Sequence, residues 1–259
     1  MDEPVIRIED AVVCYREEVA LQGVSLEVKQ GEFVGIIGPN GAGKTTLLTV
    51  INGLGKLVHG QAWVLGMPVN KKNAGLLRKH IGYVAQVENI DPRLPISVRE
   101  TVMVGCYGRL GLVRRPTRVE QKNVERVLEL VGIAHLSGRP IGHLSGGEYQ
   151  KAAIARALVQ RPKIFLFDEP TASIDPQAQR EILNLVQLIH REYATTTLFV
   201  THDLDTLPSI CQRLILMKEG KIWRQGSPEA MLDREVLSQL YGVPFALENT
   251  ILSSMVGRR

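Results

Sequence analysis

The sequence lacks an apolar run long enough to cross a membrane. A spanning helix needs about 20 consecutive apolar residues, and no apolar run in this 259-residue chain approaches that length. The first four residues, Met1 to Pro4, have neither the basic nor the apolar segment of a secretory signal peptide. We therefore expect any action at a membrane to go through another chain.

Cysteine is scarce and shows no pattern. The three cysteines, Cys14, Cys106 and Cys211, are widely separated, odd in number and without C-x-x-C spacing. This excludes the disulfide framework of a small secreted domain and argues against a metal site made of cysteines. We expect a reducing compartment, in which these cysteines serve as small core residues.

Neither sign of charge dominates the chain. The formal net charge is +4, from 31 basic and 27 acidic residues, and this weak excess identifies no partner. The short basic run from Arg114 to Arg118 has no aromatic residue beside it, so we interpret it as a solvated loop and expect no nucleic-acid partner. Low-complexity segments and internal repeats are also missing, and 44% apolar with 22% charged residues predicts a globular fold.

The most specific feature present is a glycine-rich loop that matches the pattern G-x-x-x-x-G-K-[ST]. Its residues are Gly38, Pro39, Asn40, Gly41, Ala42, Gly43, Lys44 and Thr45. Glycines let backbone N–H groups approach a polyphosphate, while Lys44 offers charge to the β- and γ-phosphates and Thr45 offers a hydroxyl to Mg²⁺. The apolar run 33–37 predicts a buried strand before the loop, and helical spacing of apolar residues predicts a helix after it. These flanking elements disfavour a chance glycine turn.

Two adjacent carboxylates, Asp168 and Glu169, follow an apolar run that ends at Phe167 and is typical of a central parallel strand. Carboxylates at the end of a buried strand are costly unless a cation lies beside them. A Mg²⁺ ion together with a proton-accepting task would account for both, and an ordinary strand-to-loop transition is the alternative.

His202 follows another short predicted strand, 197–201. It should therefore reach the same edge of the sheet as the two carboxylates, where ligands bind in open α/β folds. The remaining histidines have no such placement, and we interpret them as core or surface residues: His59, His80, His135, His143 and His190.

Two further features each allow two interpretations. Ser145, Gly146 and Gly147 form a small turn ahead of a predicted helix. Ser145 and Glu148 have the spacing of a capping box, but the same helix start would also offer N–H donors to a second anion. Tyr15, at a predicted strand end, would either stack on a purine or serve in packing.

Local patterns divide the chain into a β-rich start, a helical middle and a mixed remainder. Short β-prone runs at 5–8, 11–14 and 24–28 predict a meander. From Gln86 to about residue 142, strand signals give way to helical periods, so we interpret this region as a helical insertion containing a helix that ends at Gly132. A hairpin is predicted around Glu219 and Gly220, and a capped helix start at Ser227.

Taken in their order along the chain, the motifs resemble those of ATP-binding cassette (ABC) proteins. The resemblance rests on the glycine-rich loop, Gln86, the turn 144–147, the strand end 167–170 and His202. It covers nearly the whole chain, whereas a phosphate loop alone would leave kinases and GTPases open. The resemblance implies an α/β fold, with a RecA-like P-loop NTPase core, an antiparallel β subdomain and a helical subdomain.

On this basis we divide the chain into four segments. Residues 1–87 would hold the β subdomain and the first part of the core, and residues 88–161 the helical subdomain. Residues 162–225 would complete the core, and residues 226–259 would form a C-terminal helical tail.

The resemblance implies roles in binding ATP and Mg²⁺. Tyr15 resembles the aromatic residue that stacks on adenine, and the loop from Gly38 to Thr46 resembles the Walker A motif. The positions associated with Mg²⁺ in the family match Thr45, Gln86 and Asp168.

It also implies a catalytic set. Glu169 resembles the general base that polarises the attacking water, and His202 resembles the switch histidine on the γ-phosphate. Lys44 and Gln86 complete the set, since Gln86 resembles the residue that senses Mg²⁺ and water.

The family implies a head-to-tail homodimer in which each subunit closes the ATP site of the other. Ser145, Gly146 and Gly147 would contact the γ-phosphate held by the opposite subunit, and Asp175 would also lie at the nucleotide. Two departures are visible. Glu148 stands where the signature commonly ends in Gln, and the loop that leads to Asp175 reads Ala-Ser-Ile-Asp where S-A-L-D is common.

The stretches 101–116 and 170–176 are similar to those of zinc and manganese importer subunits. The resemblance then implies an ATP-hydrolysing subunit that energises metal-ion import through an integral membrane permease. An extracytoplasmic substrate-binding protein would take part indirectly. The chain would lie on the cytoplasmic face of the cell membrane.

Three other functions are alternatives to this one. A neighbouring branch serves iron-siderophore and cobalamin importers. A soluble, non-transport cassette ATPase is disfavoured because the chain has one cassette and no heptad run. An inactive regulatory cassette conflicts with the presence of the phosphate-loop lysine, both strand-end carboxylates and the histidine: Lys44, Asp168, Glu169 and His202.

Overall fold

The computed structural model describes residues 3–16, 18–86, 91, 93–110 and 115–242. The chain divides into two compact units, one made of Met1–Val69 and Leu198–Arg259 and the other of Asn70–Thr197. None of the helices in the described ranges combines the length and apolarity needed to cross a membrane. The predicted tail after Gly242 and part of the stretch 101–116 lie outside the described residues.

Strands and helices are named here in chain order over the described residues. The strands are β1 (Ile6–Tyr15), β2 (Glu18–Val28), β3 (Phe33–Ile37), β4 (His59–Val64), β5 (Met67–Pro68), β6 (Ile81–Val84), β7 (Ile164–Asp168), β8 (Thr196–Val200), β9 (Arg213–Lys218) and β10 (Lys221–Gly226). The α-helices are α1 (Lys44–Ile51), α2 (Ala74–Leu77), α3 (Val98–Leu110), α4 (Arg118–Leu130), α5 (Gly146–Leu158), α6 (Pro176–Tyr193), α7 (Pro228–Met231) and α8 (Arg234–Tyr241).

The first unit begins with an antiparallel sheet in the order β2-β1-β4-β5. The prediction of two short strands at 5–8 and 11–14 is wrong, because β1 is one continuous strand. Asp10 has a left-handed φ of 48°, and the pairing of β1 with β2 shifts register between Ile8 and Ala11. This bulge changes which residues face inward, so the sequence shows two separate apolar runs.

The strand before the glycine-rich loop lies in the second sheet of the first unit. β3 pairs in parallel with β9, which pairs in turn antiparallel with β10. All five residues of β3 are buried, which confirms the predicted buried strand. The hairpin between β9 and β10 is also confirmed, since Glu219 and Gly220 have φ angles of 50° and 74°, as a type I′ turn requires.

The second unit holds the parallel pair β6 and β7, with Ile81 opposite Ile164 and Val84 opposite Phe167. Every residue of β7 is buried, which confirms the predicted central strand. Helix α3 packs closely on α5, because a Cβ atom on Gly105 would lie only 2.0 Å from the carbonyl oxygen of Arg156.

Helix ends agree with the predicted signals. Gly132 has a φ of 77° just after α4, and Ser227 caps α7 with proline in its first turn. Helices α3 and α4 occupy the region predicted to be helical. Cys106 is buried as expected, whereas Cys14 and Cys211 are half-buried. The division into four segments stays a prediction.

Candidate functional site

The glycine-rich loop connects β3 to α1 in the first unit, as predicted. A Cβ atom on Gly38 would lie 2.2 Å from the carbonyl oxygen of Met217, and one on Gly43 would lie 2.6 Å from that of Ala20. Gly43 also has a left-handed φ of 95°. Larger residues would not fit at either position without a shift of the neighbouring backbone. Glycine at these two positions therefore lets the loop backbone pack directly against the backbone of neighbouring strands.

Lys44, the first residue of α1, is buried, with 6% of its surface exposed. Its Nζ atom donates hydrogen bonds to the carbonyl oxygens of Gly38 and Pro39, at 2.8 Å and 3.1 Å. The N-cap residue of α1 is Gly43, which makes no side-chain cap hydrogen bond, and the first turn has no acidic residue. A helix start of this kind is a favourable position for an anion, because backbone N–H groups and the positive end of the helix dipole point toward it.

The other members of the loop differ in exposure. Asn40, Gly41 and Thr45 are exposed, and Pro39 and Thr46 are half-buried. A Cβ atom on Gly41 would meet nothing within 4 Å, so the backbone there is accessible to a ligand. The loop thus offers both a buried cation and a solvent-facing backbone.

His202 follows β8 in the first unit and is exposed. The preceding residue, Thr201, donates its N–H to the carbonyl oxygen of Ile36 at 3.1 Å. Thr201 also accepts the N–H of Asp203 at 3.0 Å, which orders the turn that carries the histidine. The structure therefore places His202 beside the end of the strand that leads into the glycine-rich loop.

Tyr15 ends β1 and is 51% exposed. The β2 strand that follows it lies against the loop, since the carbonyl oxygen of Ala20 is the close neighbour of Gly43. The ring of Tyr15 is therefore not enclosed in a core, and its contact with a purine stays a prediction.

Asp168, the last residue of β7 in the second unit, is buried with 4% exposure. The hydroxyl of Tyr83 on β6 donates a hydrogen bond to Oδ2 of Asp168 at 3.0 Å. Sequence reasoning did not find Tyr83, because the contact depends on the register between two strands that are far apart in the chain.

Glu169, next to Asp168, has a left-handed φ of 49° and is half-buried. For a residue other than glycine, that backbone conformation costs about 1–2 kcal/mol. Strain of this kind persists where the surrounding structure requires it, and it is often found at functional positions. Gln86, two residues beyond β6, is exposed, and residues 87–90 after it lie outside the described ranges.

The start of α5 confirms the predicted capping box. The Oγ atom of Ser145 accepts the N–H of Glu148 at 3.3 Å, and the Glu148 carboxylate accepts the N–H of Ser145 at 2.7 Å. The hydrogen bond from the Ser145 backbone holds the pKa of Glu148 below its ordinary value. An additional anion-binding role of Ser145 stays a prediction.

The two glycines of this turn approach the segment that follows the strand-end carboxylates. A Cβ atom on Gly147 would lie 2.6 Å from Cβ of Ala178, and one on Gly146 would lie 3.0 Å from Cγ2 of Ile174. Asp175 caps α6 by accepting the N–H groups of Gln177 and Ala178, each at 3.0 Å. The structure thus brings Gly146, Gly147 and Asp175 together within the second unit and gives Asp175 a structural task.

The described residues contain no group of three or more His, Cys, Asp or Glu side chains placed to hold a metal ion. Mg²⁺ at a nucleotide is commonly held by one or two carboxylates together with the phosphates. Within the second unit, the buried carboxylate of Asp168 fits that mode. At Gly41 a Cβ atom would meet nothing within 4 Å, so the loop backbone there is open to a polyphosphate.

Comparison with known proteins gives a consistent result. A family model described as ABC transporter matches residues 21–172. The manganese transport system ATP-binding protein MntB of Bacillus subtilis (strain 168) is 35% identical over 237 residues, covering 92% of this chain and 92% of that protein. The ferric enterobactin transport ATP-binding protein FepC of Escherichia coli (strain K12) is 34% identical, covering 94% of this chain and 90% of that protein.

A solved structure extends the similarity to three dimensions. The dimeric, post-hydrolysis state of the ATP-binding cassette MJ0796 bound to ADP and Pi has a TM-score of 0.75 and 28% identity. The match covers 86% of this chain and 98% of that chain. Proteins named for manganese and for ferric enterobactin are thus almost equally similar to this chain, so identity does not decide a cargo.

Proposed function

The chain belongs to the ABC transporter family, whose cassettes are ATPases, and we propose that it energises import through a separate membrane permease. The observation that carries the proposal is the glycine-rich loop between β3 and α1, with Gly41 open and the buried Lys44 as the first residue of the helix. That arrangement presents backbone donors and one cation to a polyphosphate.

ATP would bind first to the loop from Gly38 to Thr46. Lys44 would exchange its loop carbonyl partners for the β- and γ-phosphates, because a charged acceptor binds an ammonium more strongly than a carbonyl does. The half-exposed ring of Tyr15 would stack on the adenine. Thr45, Gln86 and Asp168 would hold Mg²⁺, which neutralises charge on the phosphates when bound.

Hydrolysis would then depend on two side chains that follow strands. Glu169 would accept a proton from the attacking water, and His202 would hold the γ-phosphate in line with that water. The left-handed backbone of Glu169 supports a functional role, because strain of this kind is concentrated at functional sites.

We also propose a head-to-tail homodimer. Ser145, Gly146 and Gly147 would contact the nucleotide of the opposite subunit, and Asp175 would lie near that contact. The dimeric, ADP-bound cassette that this chain resembles supports the proposal. The four segments divided at residues 87, 161 and 225 belong to the same proposal.

For the cargo, we propose a metal ion, zinc or manganese, with a permease and an extracytoplasmic binding protein as partners at the cytoplasmic face of the membrane. The similarity to MntB supports this choice. An iron-siderophore or cobalamin importer is the second candidate, and the similarity to FepC supports it.

Replacing Glu169 by Gln tests the hydrolytic assignment. Since a general base contributes about 10²- to 10⁴-fold, we expect ATP turnover to fall by at least about 10²-fold. ATP binding should persist and an ATP-bound dimer should accumulate. Glu192→Gln, an exposed change on α6, is the matched control and should leave turnover intact. Near-normal hydrolysis by Glu169→Gln would remove Glu169 from the mechanism.

The cargo is tested by purifying the chain from its native membranes and identifying the proteins that accompany it. A polytopic permease together with a metal-binding extracytoplasmic protein supports metal import. A siderophore-binding protein in place of the metal-binding one favours the second candidate. Ribosomal or DNA-repair partners without a membrane protein would overturn the transport function.

A further inference from the structure

The hydrogen bond between Tyr83 and Asp168 is not part of the function proposed above. The phenol donates to one carboxylate oxygen of a residue that is 4% exposed, at 3.0 Å. A phenol, unlike Lys or Arg, brings no positive charge to the carboxylate. The contact therefore orients the carboxylate without competing with a cation for it.

Strand register brings the two side chains together. Tyr83 pairs with Leu166 in the parallel ladder of β6 and β7. Side chains two residues apart on a strand share a face, so Asp168 lies on the same face as Leu166 and Tyr83. Two strand residues span about 6.6 Å, which is within reach of a tyrosine that leans along the strand.

The residue before Tyr83 keeps the two strands close. A Cβ atom on Gly82 would lie 2.9 Å from the ring of Phe165 and 3.0 Å from Cγ of Pro162. Glycine at this position lets β6 lie against β7 without displacing the aromatic ring. The same strand ends shortly before Gln86, so Tyr83 stands at the base of the segment that carries this second candidate ligand.

We propose that Tyr83 is a positioning residue that orients the Asp168 carboxylate toward a divalent cation bound with a nucleoside di- or triphosphate. This inference rests on the proposed role of Asp168 in holding Mg²⁺. Partners that orient a metal ligand commonly affect metal affinity by about 10- to 100-fold. Loss of the phenol oxygen should therefore weaken the metal and leave the phosphate loop unaffected.

The test uses the full chain with Tyr83→Phe, which removes one oxygen atom and keeps the ring. A fluorescent ADP analogue reports binding while MgCl₂ is titrated, so no turnover is needed. We expect the Mg²⁺ concentration at half-saturation to rise about tenfold or more, whereas ADP affinity in EDTA stays unchanged. Tyr193→Phe, at the exposed end of α6, is the control and should change neither quantity.

Other outcomes overturn the inference. An unchanged Mg²⁺ midpoint in Tyr83→Phe means that the hydroxyl does not position a metal ligand. Equal loss of affinity with and without Mg²⁺, or a variant that no longer folds, means that the hydroxyl supports the strand pair only.

Asp168→Asn in the same titration separates this inference from the function on which it rests. If Asp168→Asn raises the Mg²⁺ midpoint and Tyr83→Phe does not, only the inference fails. If Asp168→Asn leaves the midpoint unchanged, the metal-binding role of Asp168 fails as well.

Discussion

The ammonium group of Lys44 lies 2.8 Å from the carbonyl oxygen of Gly38 and donates a hydrogen bond to it. It also donates a hydrogen bond to the carbonyl oxygen of Pro39, so the side chain is held against the phosphate-binding loop. A side chain held in this way is already directed toward the loop, and little rotamer freedom remains to be lost when a phosphate replaces the carbonyls.

Lys44→Met should therefore weaken ATP binding while keeping most of the buried alkyl chain in place. A charge-assisted hydrogen bond contributes about 1.5–3 kcal/mol, so we expect affinity to fall about 10- to 150-fold. Equilibrium binding of a fluorescent ATP analogue measures the change. Lys56→Met, an exposed change in the same unit, serves as control. Unchanged affinity in Lys44→Met would contradict a phosphate-binding role.

Sequence patterns could predict the features of this fold that depend on residues close together in the chain. The buried strand β3, the Ser145–Glu148 capping box and the hairpin at Glu219 depend on residues within a few positions of one another. No residue type near Asp10 indicates the bulge in β1, so the sequence pattern predicted two strands where the structure has one.

Long-range contacts were not predictable in this way. Tyr83 and Asp168 meet because β6 and β7 pair in one register, and a shift by a single residue would separate them. The close approach of Gly105 to Arg156 likewise depends on how α3 packs on α5. Sequence reasoning identified Asp168 but not its hydrogen-bond donor.

The packing of α3 on α5 predicts opposite effects for two glycines of the same helix. A Cβ atom on Gly105 would lie 2.0 Å from the Arg156 carbonyl oxygen and 2.7 Å from Cγ1 of Val159. Gly105→Ala should therefore destabilise the fold by about 1–3 kcal/mol. The nearest atom to a Cβ on Gly108 is Oε1 of Gln160, at 3.4 Å.

Gly108→Ala is thus the matched variant, and it should stabilise the fold by about 0.5–1 kcal/mol because alanine loses less backbone entropy in a helix. Urea unfolding of both variants beside the unmodified chain measures the two free energies. Changes of the same sign would show that the spacing between α3 and α5 does not decide the effect.

His190 predicts how stability depends on pH. Its Nδ1 atom lies 3.1 Å from Oγ1 of Thr197, and burial holds its pKa below the ordinary value, with Arg191 acting in the same direction. The unfolded chain then binds a proton at higher pH than the folded one. The free energy of unfolding should consequently fall as pH drops below about 6.5.

His190→Gln should remove this contribution and flatten the pH dependence between about pH 7 and pH 5. Urea unfolding at several pH values gives the slopes. A steeper slope in His190→Gln would mean that the folded imidazole is charged.

Glu148 stands where the family commonly has Gln, and its carboxylate accepts the N–H of Ser145 at 2.7 Å. Because this bond holds the Glu148 pKa below its ordinary value, the group is ionised near neutral pH. A negative charge therefore lies at the start of α5, where we propose that the γ-phosphate of the opposite subunit binds. The Glu148 carboxylate and the γ-phosphate would repel each other. This repulsion should lower the affinity of the ATP-dependent dimer.

Glu148→Gln keeps an oxygen that can accept the same hydrogen bond but removes the charge. We expect it to tighten the ATP-dependent dimer by about 2- to 5-fold, since interactions between exposed charges amount to about 0.2–1 kcal/mol. The gain should shrink in high salt, which screens exposed charges. Sedimentation of the chain in the Glu169→Gln background, at low and high salt, measures the dimer constant.

Helix α4 supplies the control for this last change. Thr117 and Glu120 form a capping box of the same kind, and the hydrogen bond from Thr117 lowers the pKa of Glu120. Glu120→Gln removes the same charge from a helix start and should leave the dimer constant unchanged. If both variants tighten the dimer equally, the effect comes from net charge. If Glu148→Gln weakens the dimer, the carboxylate takes part in the contact between subunits, and the repulsion proposed here is wrong.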